Sequence, residues 1–211
     1  MDRLEPSLVV LAGLAAAALQ ALGFLLIASA VLRGAARPNR YSWLIWSVVA
    51  ALAAASSWQA GATWPLAGAA MNALGCVLIL ALALRHGAGG RNPVDTTCLA
   101  IAGSGLALWL LTDEPVAGLV LFLGADASGA VPTIRNVLVD PARESVIGWA
   151  ILALAGAAAV LSVETSQWVW SWAGFGHWGG AVYVAVVNLV VASSIVLVRL
   201  ARWVGAGQLS V

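Results

Sequence analysis

Residues 38–46 read PNRYSWLIW and residues 141–149 read PARESVIGW. Both stretches follow the pattern Pro-x-Arg-x-Ser-x-x-x-Trp, and each stands at the start of a long apolar segment. Four residue types rarely recur by chance at one spacing, so the recurrence indicates an internal repeat. A Pro suits the first turn of a helix, and an Arg at a helix end reaches the membrane surface while its stem stays in apolar surroundings. The pattern therefore predicts two equivalent helices that enter a membrane from the same side.

The composition is typical of a membrane protein. Of the 211 residues, 62% are hydrophobic and 9% are charged, and the mean hydropathy is +0.97. A helix of about 20 apolar residues spans a bilayer, and seven such segments can be drawn. They are 8–33, 41–61, 64–85, 95–112, 115–137, 144–164 and 178–201. The sequence therefore predicts an all-α polytopic membrane protein with seven transmembrane helices, in a single membrane domain over residues 1–211.

The repeated stretches divide these segments into three, one and three. We assign repeat A to residues 8–85, a linker helix to residues 95–112 and repeat B to residues 115–203. A single linker helix returns the chain to the starting side, so the two units have the same orientation, as in transporters built from parallel repeats.

The arginines predict the orientation. If the N-terminus lies on one side, only Arg3 lies there with it. The other nine arginines fall on the opposite side: Arg33, Arg37, Arg40, Arg85, Arg91, Arg135, Arg143, Arg199 and Arg202. Cytoplasmic loops carry an excess of Arg and Lys. We therefore expect a multi-pass protein of the cell membrane, with its N-terminus outside and its C-terminus in the cytoplasm.

Asp126 is the one carboxylate that cannot be placed near a membrane surface, and it lies in the stretch LGADASGAVPTIR over residues 123–135. A charged side chain at the centre of a membrane helix costs at least ~2.5–3.5 kcal/mol, so such a residue is a functional-site hypothesis. The alternative is a packing role, in which Asp126 hydrogen-bonds between helices. The small residues around it favour close helix packing, and we expect Asp126 to face the bundle interior in its protonated form.

The three-one-three layout, with the N-terminus outside and the C-terminus inside, resembles the SWEET, SemiSWEET and PQ-loop superfamily. Pro132-Thr133 lies where those families often have Pro-Gln, and Asn72 and Asn188 lie where SWEET sugar carriers place paired Asn residues. The resemblance covers nearly the whole chain, and the most similar proteins are small uncharacterised bacterial seven-helix membrane proteins of this group. It implies a carrier in which the two Asn residues and a Trp contact the substrate, the Trp being Trp58 or one of Trp168, Trp170 and Trp172.

Repeat A departs from repeat B at two positions. Ser29 occupies the position that matches Pro132, and Gly23 occupies the position that matches Asp126. Carriers of the SWEET group usually have a helix-bending Pro in both repeats, so this chain lacks one of the matched hinges. One half has also gained a carboxylate.

Aromatic and amide side chains complete the candidate site. Of eleven Trp residues, several lie near segment ends, where an interfacial belt is expected, and Trp43 is one of these. The candidates for a substrate cavity are Trp46, Trp58, Trp109, Trp149, Asn72, Asn188 and, more weakly, Gln20, Ser56, Ser57, Gln59 and Tyr183. The Asn residues also suit hydrogen bonds between helices.

Two functions from different classes remain open, and whether the protein is an enzyme is undecided. The first is a carrier of a small solute, with Asp126 as the proton-coupling group. The second is a membrane enzyme on the same fold, a proton-initiated isoprenoid or terpenoid cyclase. In it, Asp126 would be the general acid and Trp faces would stabilise carbocations.

The expected partners are a small-molecule or lipid-like substrate and membrane lipids. No basic run indicates nucleic acid, and no cofactor motif is visible. Two Cys and two scattered His residues predict no metal site. The sequence leaves the oligomeric state, the substrate and the choice of cavity-lining Trp residues open.

Overall fold

The computed structural model describes residues 5–59, 64–90, 92–111, 115–163 and 172–208. Within those ranges the chain forms seven α-helices and one short 3-10 helix. In order, they are α1 (Glu5–Leu32), α2 (Arg40–Gln59), α3 (Trp64–His86), α4 (Pro93–Leu111), α5 (Pro115–Val139), η1 (Pro141–Arg143), α6 (Val146–Leu161) and α7 (Trp172–Gln208). The all-α prediction is confirmed for the described residues.

The helices expose apolar side chains as well as burying them. Leu25, Leu84 and Leu197, for example, are each more than 60% exposed. Helices that are apolar on all sides are typical of protein interiors and membranes. By length and composition, three helical stretches can cross a membrane: Ser7–Leu32, Gly68–His86 and Gly180–Gly205. The helices α2, α4 and α6 contribute shorter apolar stretches, so the fold is consistent with a membrane protein.

Six of the helices form a closed ring of neighbours, which we describe as two sets of three in chain order, α1 to α3 and α5 to α7. In the first set, α3 contacts both α1 and α2; in the second, α7 contacts both α5 and α6. The sets meet through two further contacts, α1 with α6 and α2 with α5, while α4 packs mainly on α5. A cavity between the two sets is therefore bordered by helices from both.

The connections that carry arginines meet at one end of the bundle. The N–H of Arg37 donates to the carbonyl of Arg143 at 2.7 Å, and the N–H of Ala88 donates to the carbonyl of Pro38 at 3.0 Å. From α7, Arg199 donates to the carbonyl of Pro141 at 3.0 Å. These bonds join the connections after α1, α3 and α5 with the last turns of α7, and we call this end of the bundle the arginine end.

The two repeated stretches start their helices differently. Before α6, the Ser145 hydroxyl caps the helix by accepting from the N–H of Gly148 at 3.3 Å. Before α2, Asn39 has that role and accepts from the N–H of Tyr41 at 2.9 Å, while the buried hydroxyl of Ser42 has no hydrogen-bond partner. An Asn is as good a cap as a Ser, so α2 is capped by Asn39 and not by the repeated Ser, Ser42.

The helix bounds follow the predicted segments with one large difference. The last predicted segment, 178–201, lies inside the 37-residue helix α7. Hydropathy marks only the part of a helix that is apolar, whereas α7 continues at both ends. At its C-terminal end, Arg202 donates to the carbonyl of Val139 at 2.9 Å, which fixes the extension against the end of α5.

Candidate functional site

One cavity lies between the two sets of helices, with a volume of about 50 Å³. Among the described residues, every α-helix except α4 contributes to its wall. The lining residues are Gln20 and Phe24 from α1, Trp43 and Trp46 from α2, Asn72 and Cys76 from α3, Asp126 from α5, Trp149 and Leu152 from α6, and Val184, Val187 and Asn188 from α7. Six residues that the sequence singled out therefore border the same space: Asp126, Asn72, Asn188, Trp46, Trp149 and the weaker candidate Gln20.

Two aromatic residues fix the position of Asp126. The hydroxyl of Tyr183 donates to Oδ2 of Asp126 at 2.7 Å. The indole Nε1 of Trp46 donates to the backbone carbonyl of Asp126 at 3.0 Å. This approach of Trp46 requires Gly129, since a Cβ there would lie 2.9 Å from Nε1. Asp126 thus faces the interior beside Trp46, as the sequence predicts.

Three indoles form one wall of the cavity. The ring centroids of Trp43 and Trp46 are 5.2 Å apart with an interplanar angle of 80°, and those of Trp46 and Trp149 are 5.6 Å apart at 65°. Trp43 and Trp149 complete the cluster at 5.7 Å. Edge-to-face pairs place the positive edge of one ring against the negative face of another. The cluster is therefore a packed aromatic wall.

Burial of Trp43 corrects its assignment to an interfacial belt. Its side chain is only 1% exposed, and it packs edge-to-face on Phe24 with centroids 6.2 Å apart. Trp43 and Trp46 are three residues apart and share a helix face. The three-residue spacing was the sequence signal that places Trp43 on the same buried face as Trp46. Its position near a segment end suggested an interfacial belt instead.

The two Asn residues border the cavity but are held differently. Asn72 accepts from Nε2 of Gln20 at 3.3 Å, which links α3 with α1. Asn188 donates through Nδ2 to the carbonyl of Val184, one turn earlier in α7, at 2.8 Å. Asn72 therefore has an interhelical bond as well as a place on the wall.

The remaining sequence candidates lie elsewhere. Trp58, near the end of α2, is 73% exposed and is not part of the cavity wall. Other candidate side chains lie outside the described residues: Trp109, Trp168, Trp170, Trp172, Ser56, Ser57 and Gln59. Tyr183 reaches the site through its bond to Asp126.

Glu144 is a buried carboxylate that the sequence argument missed. It lies between η1 and α6, is 2% exposed, and accepts from Nδ2 of Asn136 at 3.0 Å and from Nε1 of Trp149 at 3.1 Å. Asn136 also donates to the carbonyl of Arg37 at 3.0 Å. Burial raises the pKa of Glu144 to about 7, although the two side-chain hydrogen bonds act in the opposite direction. Its place in the repeated stretch, in register with Tyr41, gave no sign of this role.

The described residues hold no group of His, Cys, Asp and Glu suited to a metal ion. Both cysteines, Cys76 and Cys98, are free and buried. The site therefore offers a carboxyl group, carboxamides, a phenol and indoles, which can bind a small ligand and exchange a proton with it. Comparison with known proteins finds no match among protein-family models, curated proteins or solved structures.

Proposed function

We propose that the protein is a SWEET-like or PQ-loop-like membrane carrier of a small solute, with Asp126 as its proton-coupling group. The observation that carries this proposal is the convergence of Asp126, Asn72 and Asn188 with Trp46 and Trp149 on one cavity between two sets of helices. Carriers built from repeats bind their substrates at the repeat interface near the middle of the membrane.

Matching helix contacts support the proposed repeats, 8–85 and 115–203. Because α3 contacts α1 and α2 as α7 contacts α5 and α6, the helix order in the two sets is the same. A twofold rotation that exchanges the two sets would convert the contact of α1 with α6 into the contact of α5 with α2, and both contacts are present. Trp46 and Trp149 hold equivalent positions in the repeated stretches and contact each other across the interface. Residues 95–112 then serve as the linker helix.

Clustering of arginines at one end of the bundle supports the proposed orientation. The bonds of Arg37, Arg143 and Arg199 bring three arginine-bearing segments together. We place that end in the cytoplasm on the positive-inside rule. The chain then lies in the cell membrane with seven spans and its N-terminus outside.

The cavity volume favours the carrier over the cyclase. A cavity of ~150 Å³ is needed to hold benzene, whereas this one has about 50 Å³. A linear isoprenoid is larger than benzene and would have to displace the aromatic wall. A proton on Asp126 next to Trp46 and Trp149 is the feature that the cyclase would share with the carrier.

Transport assays in proteoliposomes test the carrier. The purified chain is reconstituted with a pH-sensitive dye in the lumen, and monosaccharides, polyols, amino acids and short amines are added outside. We expect one solute class to drive a change of lumenal pH with the wild-type protein and none with Asp126→Asn. The matched control is Asp140→Asn, a carboxyl-to-amide change outside the cavity, which should retain the flux.

If the Asp126→Asn variant retains the full flux, Asp126 is not the proton-coupling group. Absence of flux for every solute class, together with a cyclic product when the protein is incubated with a linear isoprenoid, would establish the cyclase instead.

A further inference from the structure

The cavity contains a carboxyl group without a basic partner. Among the described residues that line it, Asp126 is the one carboxylic acid and no Arg or His is present. The ion pair in the described ranges joins Arg143 to Asp140 at 3.6 Å, at the arginine end. An ionised carboxylate in apolar surroundings needs a compensating charge. Asp126 therefore favours either a proton or a bound cation.

The rest of the wall also suits a cation. Three indoles line the cavity, and an aromatic face attracts a cation within ~6 Å of its ring centroid. Asn188 uses its Nδ2 on the carbonyl of Val184, which leaves its Oδ1 as an acceptor for an N–H group. The Tyr183 hydroxyl donates to Oδ2 of Asp126, and a carboxylate has further acceptor sites that a ligand N–H group can use.

Cavity size limits the ligand to a few heavy atoms. Its volume of about 50 Å³ is a third of the ~150 Å³ that accommodates benzene. A monosaccharide exceeds this space, whereas methylammonium, with two heavy atoms, is of the right order.

We propose that the cavity binds a small N–H-bearing organic cation of about the size of methylammonium, and that this cation and a proton compete for Asp126. The proposal rests on the proposed carrier and specifies its substrate class. When the cation binds, its N–H group donates to the carboxylate, and the proton of Asp126 leaves to the water on the side from which the cation entered. One cation is then exchanged for one proton, and the charge on Asp126 stays balanced throughout.

Few other titratable groups in the described residues face Asp126. From α7 the Tyr183 hydroxyl contacts it, and from α3 the Cys76 thiol lines the same cavity. On the other elements that pack against α5, the described titratable groups are Cys98 and Asp95 on α4, Arg40 and Tyr41 on α2, Arg143 in η1, and Arg199 and Arg202 on α7. The carbonyl of Cys98 accepts from the Ser128 hydroxyl at 3.2 Å, and the charged groups lie toward the arginine end. Asp126 is therefore the group that competition by protons should titrate.

Calorimetry on the full chain in phosphatidylcholine nanodiscs tests this proposal. Methylammonium chloride is titrated at several pH values and in two buffers of different ionisation enthalpy. We expect saturable binding with release of up to one proton per cation. On the acid side the apparent Kd should weaken about tenfold for each unit of pH. Asp126→Asn should abolish binding and Asp140→Asn should not.

Three controls keep the result decisive. Methanol has the same number of heavy atoms without the charge, and sodium chloride supplies an inorganic cation at equal ionic strength. Asp126→Glu keeps the carboxylate and should restore proton-competed binding if Asp126→Asn fails to fold. Equal binding of methanol, equal binding of sodium, or pH-independent binding of methylammonium would each overturn the proposal.

The same measurements separate this proposal from the carrier. Binding of methylammonium in nanodiscs without solute-driven proton flux in proteoliposomes would keep the cation site and refute the carrier. If the protein carries a neutral solute with protons but does not bind methylammonium, the carrier proposal stands and the cation site is refuted.

Discussion

Trp149 donates its indole N–H to Oε2 of Glu144 at 3.1 Å, so a carboxylate buried toward the arginine end holds a ring that borders the cavity. Its counterpart Trp46 donates instead to the backbone carbonyl of Asp126 at 3.0 Å. Equivalent indoles in the two sets of helices are thus oriented by different acceptors. The wall of the cavity is coupled to the arginine end through Trp149 and to the central carboxyl through Trp46.

Replacing Trp149 by Phe should weaken the fold and the site together. The change removes one donor to a buried carboxylate, at a cost of ~1–3 kcal/mol, and leaves space in the aromatic wall. We expect a lower free energy of unfolding in mixed detergent micelles and weaker binding at the cavity. Trp58→Phe, at an exposed position, is the matched control and should change neither quantity. Equal effects of the two substitutions would show that the Glu144 bond is unimportant.

Burial of Glu144 predicts that stability falls with rising pH. Its pKa is raised from 4.5 to about 7 in the folded chain. Between those values the folded state binds more protons than the unfolded state, so stability decreases as pH rises through this window and then levels off. We expect the unfolding temperature to be lower at pH 8 than at pH 5, and Glu144→Gln to reduce that difference. An unchanged pH dependence in Glu144→Gln would assign the effect to another group.

Close contact between α6 and α7 depends on Gly156. A Cβ at this position would lie 2.5 Å from the Cα of Ala185, and backbone cannot rotate away as a side chain can. Gly156→Ala should therefore destabilise the fold by ~1–3 kcal/mol. Gly103→Ala adds the same methyl group within α4 where nothing lies within 4 Å, and it should be neutral or slightly stabilising. Thermal unfolding of both variants in detergent measures the difference, and equal values would contradict the packing of α6 on α7.

Sequence patterns predicted the helices better than their ends. Apolar runs identify helices because a membrane requires internally bonded backbone. The caps were less predictable, since Asn39 and Ser145 both accept bonds from backbone N–H groups yet only Ser is common to both stretches. Local hydrogen bonds of this kind depend on which side chain points forward onto the N–H groups of the first helical turn.

The candidate site was predictable where a residue is chemically unusual for its surroundings. Asp126 is unusual because a membrane segment disfavours a carboxyl group. Glu144 and Trp43 lie near segment ends, where a charge or an indole is ordinary, and only tertiary packing buries them. Trp58 has the same residue type as Trp46, and the sequence could not distinguish the exposed ring from the buried one.

Cysteine labelling in intact cells tests the proposed orientation. Cys76 and Cys98 are buried, so the native cysteines should contribute little to the labelling that is measured at an added cysteine. Trp58→Cys places a thiol in the last turn of α2, away from the arginine end, and Ala142→Cys places one in η1 at that end; both positions are exposed. A membrane-impermeant maleimide should label Trp58→Cys in intact cells and should label Ala142→Cys only after permeabilisation. The reverse pattern would place the arginine end outside, and labelling of both variants in intact cells would show that the two positions do not lie on opposite membrane faces.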